Sequence, residues 1–268
     1  DQMSSYFSVQ WHITDDCDQC CKHCYIFSEG HPCITTMAWE EMLRTYAQIQ
    51  ALCRSLGRIP YIYLTGGDPV LHPAFWDLLA LFKADGTRFC VMGNPFHLTE
   101  SVCARMKDCG CVKYQLSLDG LEKTHDSFRK PGSFRATVEA IRTIKRSGMW
   151  CAVMSTVSKT NMNEIPALIG LADALGGDVY AFGRYCPTAA EKAHDTDMHI
   201  PPAEYREFLQ RCWETYGRHR DRKTTFQLKD HLWALFLYEK GLLKLPQGDG
   251  VTDGCNCGRN HITILPNG

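Results

Sequence analysis

Short stretches in which apolar and polar residues alternate recur along most of the chain, and apolar residues at helical spacing separate them. Alternation predicts strands, and recurrence every three or four residues predicts helices. The predicted strands are Tyr6–Thr14, Tyr61–Leu64, Arg88–Met92, Val112–Gly120 with its terminal turn, Trp150–Val157 and Asp178–Gly183. Helices are predicted to begin near Thr36, Pro73, Thr99, Ser133 and Asn163. Strands that alternate with helices predict βαβ units and a parallel sheet.

The pattern changes after residue 200. A helix is predicted from Pro201 to about Gly217, followed by the basic stretch 218–223 and an apolar helix between Leu232 and Leu243. The segment Pro246–Gly250 is rich in turn-forming residues and indicates a second boundary. We therefore predict three parts: a βα domain over 1–200, a helical linker region over 201–250 and the start of a further domain over 251–268.

The composition is that of an ordinary globular protein, with 44% hydrophobic and 22% charged residues among 268. The net charge of -1 gives no electrostatic reason to expect nucleic acid. No apolar run is long enough for a membrane span and no secretion signal is visible, so we expect no membrane partner and a cytoplasmic location. Fifteen cysteines are unusually many, and in a reducing compartment they indicate metal chemistry rather than disulfides.

A cysteine-rich loop follows the first predicted strand. Cys17, Cys21 and Cys24 have the spacing C-x3-C-x2-C, which supplies three thiolates within one short loop. Cluster iron is normally held by four thiolates, so three of them leave one iron of a four-iron cluster open to another molecule. Zinc is the alternative, because Cys17 with Cys20 and Cys21 with Cys24 form two C-x2-C pairs. Pairs this close together strain the tetrahedral wrapping of zinc, so the spacing favours the cluster.

This loop resembles the signature of the radical S-adenosylmethionine (radical SAM) enzymes, with the aromatic Tyr25 directly after its last cysteine. The turn Gly66-Gly67-Asp68-Pro69 resembles the G-G-E-P motif of that family, with Asp in place of the usual Glu. The segment from Ser117 through Asp119 to Arg129 resembles its S-x-D-G…H-D-x-x-R segment. All three motifs fall at the C-terminal ends of predicted strands, in the order in which the family has them.

The resemblance implies a partial (βα)6 barrel that binds a [4Fe-4S] cluster through Cys17, Cys21 and Cys24, together with S-adenosylmethionine. The implied contacts with S-adenosylmethionine are Tyr25, Gly66, Gly67, Asp68, Asn94, Ser117, Asp119 and Arg129. In such enzymes a low-potential electron donor reduces the cluster, S-adenosylmethionine is cleaved, and the resulting 5′-deoxyadenosyl radical abstracts hydrogen from the substrate.

Individual roles follow from the same resemblance. The Gly66–Asp68 turn would contact the methionine amino group, and Ser117 and Arg129 would bind the methionine carboxylate. Asp119 has an equally weighted structural interpretation as a turn former. Asn94 takes the place of a family T-N-G turn from which this chain departs.

The segment Cys255–Gly268 resembles the opening of a SPASM or twitch domain, in which further cysteines bind auxiliary iron–sulfur clusters. Cys255 and Cys257 are the implied ligands, and a metal-free hairpin is the alternative. The fold expected overall is therefore an α/β partial barrel, a C-terminal helical linker and the start of this cysteine domain.

The substrates most common in that subgroup are peptides, so we expect peptide maturation by crosslinking, thioether formation, epimerisation or residue oxidation. A small molecule such as a tetrapyrrole or cofactor precursor is the first alternative, and a zinc-binding interaction module is the alternative of another class. Residues after the third and sixth strands are expected at the substrate, namely Phe96, His97, Arg184, Tyr185 and Cys186. Cys186 is a candidate hydrogen donor or cluster ligand, with a buried thiol of no function as the competing interpretation.

Overall fold

A computed structural model describes residues 5–27, 34–187, 198–218, 222–244, 255 and 257–268. The chain forms two compact units. The first comprises residues 1–116, 136–151 and 256–268, and the second comprises residues 117–135 and 152–255. The predicted boundary at Pro246–Gly250 lies outside the described residues, and the division into three parts at residues 200 and 250 stays a prediction.

The first unit is built on a parallel sheet. Its strands are β1 (Tyr6–Thr14), β2 (Ile59–Gly66), β3 (Phe89–Met92), most of β4 (Cys111–Ser117) and β8 (His261–Ile264), in the order β8-β1-β2-β3-β4. Its helices are α1 (Trp39–Ser55), α2 (Phe75–Asp85), α3 (Glu100–Asp108) and most of α5 (Ser133–Ser147). Each of these strands pairs in parallel with its neighbours, which confirms the predicted parallel α/β fold.

The two faces of this sheet differ because successive side chains of a strand point to opposite sides. One face is apolar and completely or almost completely buried, and it carries Val9, Trp11, Ile13, Ile62, Leu64, Phe89, Val91, Tyr114 and Leu116. The other face is mainly polar, and it carries Ser8, Gln10, His12, Tyr61, Tyr63, Thr65, Cys90, Met92, Lys113 and Gln115. Burial of the apolar face stabilises the unit, and the opposite face is left for polar chemistry.

The second unit contains three parallel strands. They are most of β5 (Trp150–Val157), β6 (Val179–Arg184) and β7 (Thr225–Gln227), in the order β5-β6-β7. Its helices are α4 (Glu122–Phe128), α6 (Ile165–Ala174), α7 (Pro202–Arg218) and α8 (Leu232–Glu239). Phe182 packs against Phe208 and Trp233 at ring-centroid distances of 5.2 Å and 5.8 Å, which joins β6 to α7 and α8. No helix within the described ranges is both long enough and apolar enough to cross a membrane.

Local interactions explain where element boundaries depart from prediction. The hydroxyl of Thr36 bonds that of Thr14 at 2.8 Å instead of capping α1, which begins later, after Ala38. Thr99 caps α3 as predicted, accepting a hydrogen bond from the Val102 amide at 3.2 Å. Residues 261–264 form a strand that pairs in parallel with β1. The short elements α4 and β7 were not predicted, because seven and three residues show too little periodicity.

Candidate functional site

The cysteine loop begins shortly after the end of β1. Cys17, Cys21 and Cys24 are partly exposed, and the Cys24 amide donates to the Cys21 carbonyl at 3.0 Å. Cys20 is exposed, has a left-handed backbone with φ 46°, and directs its thiol to the Cys17 carbonyl at 3.3 Å. Three cysteines therefore lie partly exposed on one compact loop, and the thiol of Cys20 is directed to the loop backbone.

The separation of the sulfur atoms distinguishes a cluster from a single zinc ion. Thiolates around tetrahedral zinc lie about 3.8 Å apart, because each Zn–S bond is about 2.3 Å long. Among the described residues, the only three potential ligand atoms that all lie within 4.8 Å of one another belong to Asp18, Asp68 and His97. At least one pair of the three loop sulfur atoms is therefore more than 4.8 Å apart, which is wider than a single zinc ion requires and is compatible with thiolates that bind different irons. These residues fit a four-iron cluster.

The Gly66–Gly67 turn at the end of β2 packs directly against the start of the cysteine loop. The Gly67 amide donates to the Thr14 carbonyl at 2.8 Å, and the Asp68 amide donates to the Asp16 carbonyl at 2.7 Å. A Cβ atom at Gly66 would lie 2.0 Å from the Thr14 oxygen, and one at Gly67 would lie 2.1 Å from the Asp16 oxygen. Gly66 also has φ +132°, which disfavours other residues. Two motifs far apart in sequence therefore meet through their backbones.

The side chain of Asp68 is completely buried beside this contact. Its Oδ1 accepts a hydrogen bond from the Val70 amide at 3.3 Å, whereas Oδ2 has no partner within the described part of the chain. A Cβ atom at Gly93 would lie 2.8 Å from Oδ1, so the chain after β3 closes over the carboxyl group. Burial raises the pKa of Asp68 from 3.8 to about 6.

Replacing Asp68 by Asn is expected to stabilise the protein above pH 6. The folded-state pKa lies above the ordinary value of 3.8, so folded Asp68 holds a proton that the unfolded chain releases, and stability falls as pH rises from about 4 to about 6. The gain from Asp68→Asn should grow across that window to roughly 2–3 kcal/mol. Urea unfolding of both proteins at pH 4, 5, 6 and 7 measures it, and a difference that does not change with pH would contradict this account.

Asn94 faces the cysteine loop. Its Nδ2 donates to the Cys17 sulfur at 3.2 Å and to Asp18 Oδ1 at 3.1 Å, while Asp18 Oδ2 pairs with His97 Nε2 at 2.8 Å. The buried Tyr114 hydroxyl donates to the Asn94 carbonyl at 3.0 Å. The parts played here by Asp18 and Tyr114 were not predicted, and His97 was expected only as a substrate contact. No local pattern signals these contacts, because they join the segments that follow β1 and β3 with the middle of β4.

Tyr25 lies beside His12, with its hydroxyl 3.4 Å from His12 Nε2. Burial lowers the pKa of His12, so its imidazole is neutral at pH 7. Loss of water around the hydroxyl, with nearby Cys24 and Asp15, raises the pKa of Tyr25 to about 12. His12 and Tyr25 therefore provide uncharged hydrogen-bonding groups beside the cysteine loop at pH 7.

In the second unit, the carboxylate of Asp119 is the centre of a buried hydrogen-bond network. Its Oδ2 accepts from Arg129 Nε at 2.7 Å and its Oδ1 accepts from the Thr156 amide at 2.8 Å. The Asn161 side chain donates to the Asp119 carbonyl at 2.6 Å, a role that the sequence did not reveal. Ser117 lies at the end of β4, two residues earlier. Asp119 thus fixes the position of the Arg129 guanidinium and also supports the turn.

The residues after β6 are mostly held by other groups of the second unit. Arg184 pairs with Asp230 at 3.0 Å, and its guanidinium lies 5.3 Å from the ring centroid of Tyr205. Arg184 and Tyr185 line a cavity of about 70 Å³. Cys186 is exposed, so the interpretation as a buried thiol is wrong. Cys255 and Cys257 are exposed as well.

The Radical SAM superfamily model matches residues 11–172, which is more than half of the chain. The chain belongs to the radical SAM superfamily. Membership implies a [4Fe-4S] cluster and S-adenosylmethionine as the cofactors.

Three known proteins show how far this similarity to other radical SAM proteins extends. An AdoMet-dependent heme synthase of Methanosarcina barkeri (strain Fusaro / DSM 804) is 26% identical over 208 residues, covering 77% of this chain and 57% of the synthase. The mycofactocin maturase MftC of Mycobacterium ulcerans (strain Agy99) is 26% identical over 172 residues, covering 63% of this chain and 44% of the maturase.

The crystal structure of Streptococcus suis SuiB bound to S-adenosylmethionine matches with a TM-score of 0.74 and 15% identity, over 98% of this chain and 59% of SuiB. This likeness confirms the predicted radical SAM fold. The chain spans about half of the length of the curated relatives described above.

Proposed function

We propose that Cys17, Cys21 and Cys24 hold the cluster of this radical SAM enzyme and that the adjoining Gly66–Asp68 turn contacts S-adenosylmethionine. The observation that carries this proposal is the backbone contact between the cysteine loop and the turn, at 2.7–2.8 Å. This contact supports the proposal because it brings the start of the cysteine loop against the two glycines of the turn. Backbone carbonyls there suit the ammonium group of a bound methionine moiety.

Neighbouring side chains take supporting roles in this proposal. When bound and reduced, the cluster supplies the electron that cleaves S-adenosylmethionine and so generates the hydrogen-abstracting radical. Asn94 donates a hydrogen bond to the Cys17 sulfur, a contact of the kind that tunes a bound cluster. By the family resemblance, Tyr25 and Ser117 contact S-adenosylmethionine, and Arg129, positioned by Asp119, binds its carboxylate. Cys255 and Cys257 are proposed ligands of an auxiliary cluster.

For the substrate, we propose a peptide undergoing maturation, in line with the SPASM-like C-terminal segment and with the name of the maturase MftC. A tetrapyrrole is the second candidate. It is favoured by the alignment with the heme synthase, which extends over 208 residues against 172 for MftC.

Anaerobic reconstitution with iron and sulfide tests the proposed site. The reconstituted protein is expected to bind about four irons at the loop and to form 5′-deoxyadenosine and methionine when reduced with S-adenosylmethionine. A protein that takes up zinc but no iron, and that forms no 5′-deoxyadenosine, would overturn the assignment.

A further inference from the structure

One row of side chains crosses the polar face of the sheet in the first unit. Strand pairing places Gln10 beside Tyr63, Tyr63 beside Cys90 and Cys90 beside Lys113. Partner residues on neighbouring parallel strands project from the same face. The Lys113 ammonium lies 5.3 Å from the ring centroid of Tyr63. These four residues, the Lys113 row, therefore lie side by side across the polar face, with Cys90 completely buried and the other three partly exposed.

Lys113 is partly buried in this row and has no ion-pair partner among the residues that the structure describes. Strands β1 to β4 place no Asp or Glu on the polar face. His12, on the same face, does not add charge at pH 7, because burial lowers its pKa. A partly buried ammonium loses hydration, and the face of an aromatic ring restores only part of that energy. Within strands β1 to β4, the polar face thus presents the positive charge of Lys113 without a carboxylate to balance it.

We propose that Lys113 binds a carboxylate group of the substrate, an inference that rests on the proposed radical SAM function. A charge-assisted hydrogen bond from the ammonium to a carboxylate would supply the missing negative charge. Gln10 Nε2 lies 2.9 Å from His12 Nε2 and has a second N–H, so Gln10 and Tyr63 in the same row add an amide and a phenol group that can bind the oxygens of such a ligand. The apolar opposite face offers no comparable site, because its side chains are buried.

The position of Lys113 also sets the length of the substrate. Lys113 precedes the end of β4 at Ser117 by four residues, and Gln10 precedes the end of β1 at Thr14 by four residues. At about 3.3 Å per residue, the Lys113 row lies roughly 13 Å from the strand ends where the cysteine loop begins. If the reacting C–H bond lies near the cysteine loop, as the proposed function requires, the carboxylate would be on the order of 10 Å from it. A single amino acid is too short, whereas a peptide with an acidic side chain or a tetrapyrrole with carboxylate substituents is long enough.

Anaerobic equilibrium dialysis of the reconstituted protein with two pairs of probes tests this inference. One pair is coproporphyrin III and its tetramethyl ester, and the other is an end-blocked octapeptide containing Glu and its Gln counterpart. At least one acid should bind at least about tenfold more tightly than its neutral counterpart, a difference typical of one charge-assisted contact. The acid that does so identifies the source of the carboxylate.

Three variants test whether the preference for the acid over its neutral counterpart depends on the Lys113 side chain. Lys113→Met should abolish the preference for the acid, Lys113→Arg should retain it, and loss of the exposed Lys123 in Lys123→Met should leave it unchanged. The inference is overturned if neither acid is preferred, or if Lys113→Met keeps the preference. Formation of 5′-deoxyadenosine by the parent protein, measured separately, reports on the proposed function. A parent that prefers the acid but forms no 5′-deoxyadenosine would contradict that function and leave the carboxylate site standing.

Discussion

Replacing Cys17, Cys21 or Cys24 by Ala is expected to remove the iron–sulfur cluster and reduce 5′-deoxyadenosine formation to background. Each of the three thiolates would hold a different iron. The loss of one would therefore leave a second iron without a protein ligand, and water or oxidant can attack it. Iron and acid-labile sulfide analysis, the visible absorption of the cluster, and a 5′-deoxyadenosine assay measure the effect.

Cys20→Ser is the matched control in the same loop. The Cys20 thiol is directed to the Cys17 carbonyl at 3.3 Å, so its replacement by a hydroxyl should leave iron content and activity close to those of the parent. Under the zinc interpretation, Cys20 would be a fourth ligand and Cys20→Ser would lose metal as the other three variants do. Equal loss of metal in all four variants would therefore contradict the assignment of a three-cysteine site.

The fold was predictable from the sequence because its strands are marked by local alternation. Six strands lie where that alternation placed them, since one face of each strand must be buried against neighbouring elements. The cysteine spacing and the Gly66–Gly67 turn were predictable for a similar reason, as both are contiguous motifs. Thr36 shows the limit of such local rules. It is a suitable capping residue, but its hydroxyl bonds that of Thr14, and α1 begins only after Ala38.

Side chains that meet from distant segments were not predictable. Asp18, Asn94 and His97 form a chain of hydrogen bonds to Cys17, although nothing in their spacing links residues almost eighty positions apart. Asn161 was a similar case, because its contact with the Asp119 carbonyl exists only once β4 and β5 are in place. These contacts depend on tertiary packing, which periodicity along a single segment does not encode.

Replacing Asp119 by Ala is expected to lower the free energy of unfolding by roughly 3–5 kcal/mol, the usual cost of breaking a buried ion pair. Asp119 is 1% exposed, and its carboxylate accepts hydrogen bonds from Arg129 and from the Thr156 amide, at 2.7 Å and 2.8 Å. Removing Asp119 takes this ion-pair partner away from a guanidinium that is only 10% exposed. Asp119→Asn keeps an acceptor for the Thr156 amide and should cost less. Guanidinium chloride unfolding followed by circular dichroism measures both.

A surface ion pair in the same unit provides the control that separates burial from charge. Glu122 pairs with Arg135 at 2.6 Å, but the two side chains are 48% and 79% exposed. Because water screens this pair, Glu122→Ala should lower the free energy of unfolding by no more than about 1 kcal/mol. Similar losses in the free energy of unfolding for Glu122→Ala and Asp119→Ala would show that the buried network contributes no more than an ordinary surface contact.

If Arg129 binds S-adenosylmethionine as proposed, the folded Asp119→Asn variant should also bind it more weakly than the parent, because the guanidinium loses the charged group that holds it in place.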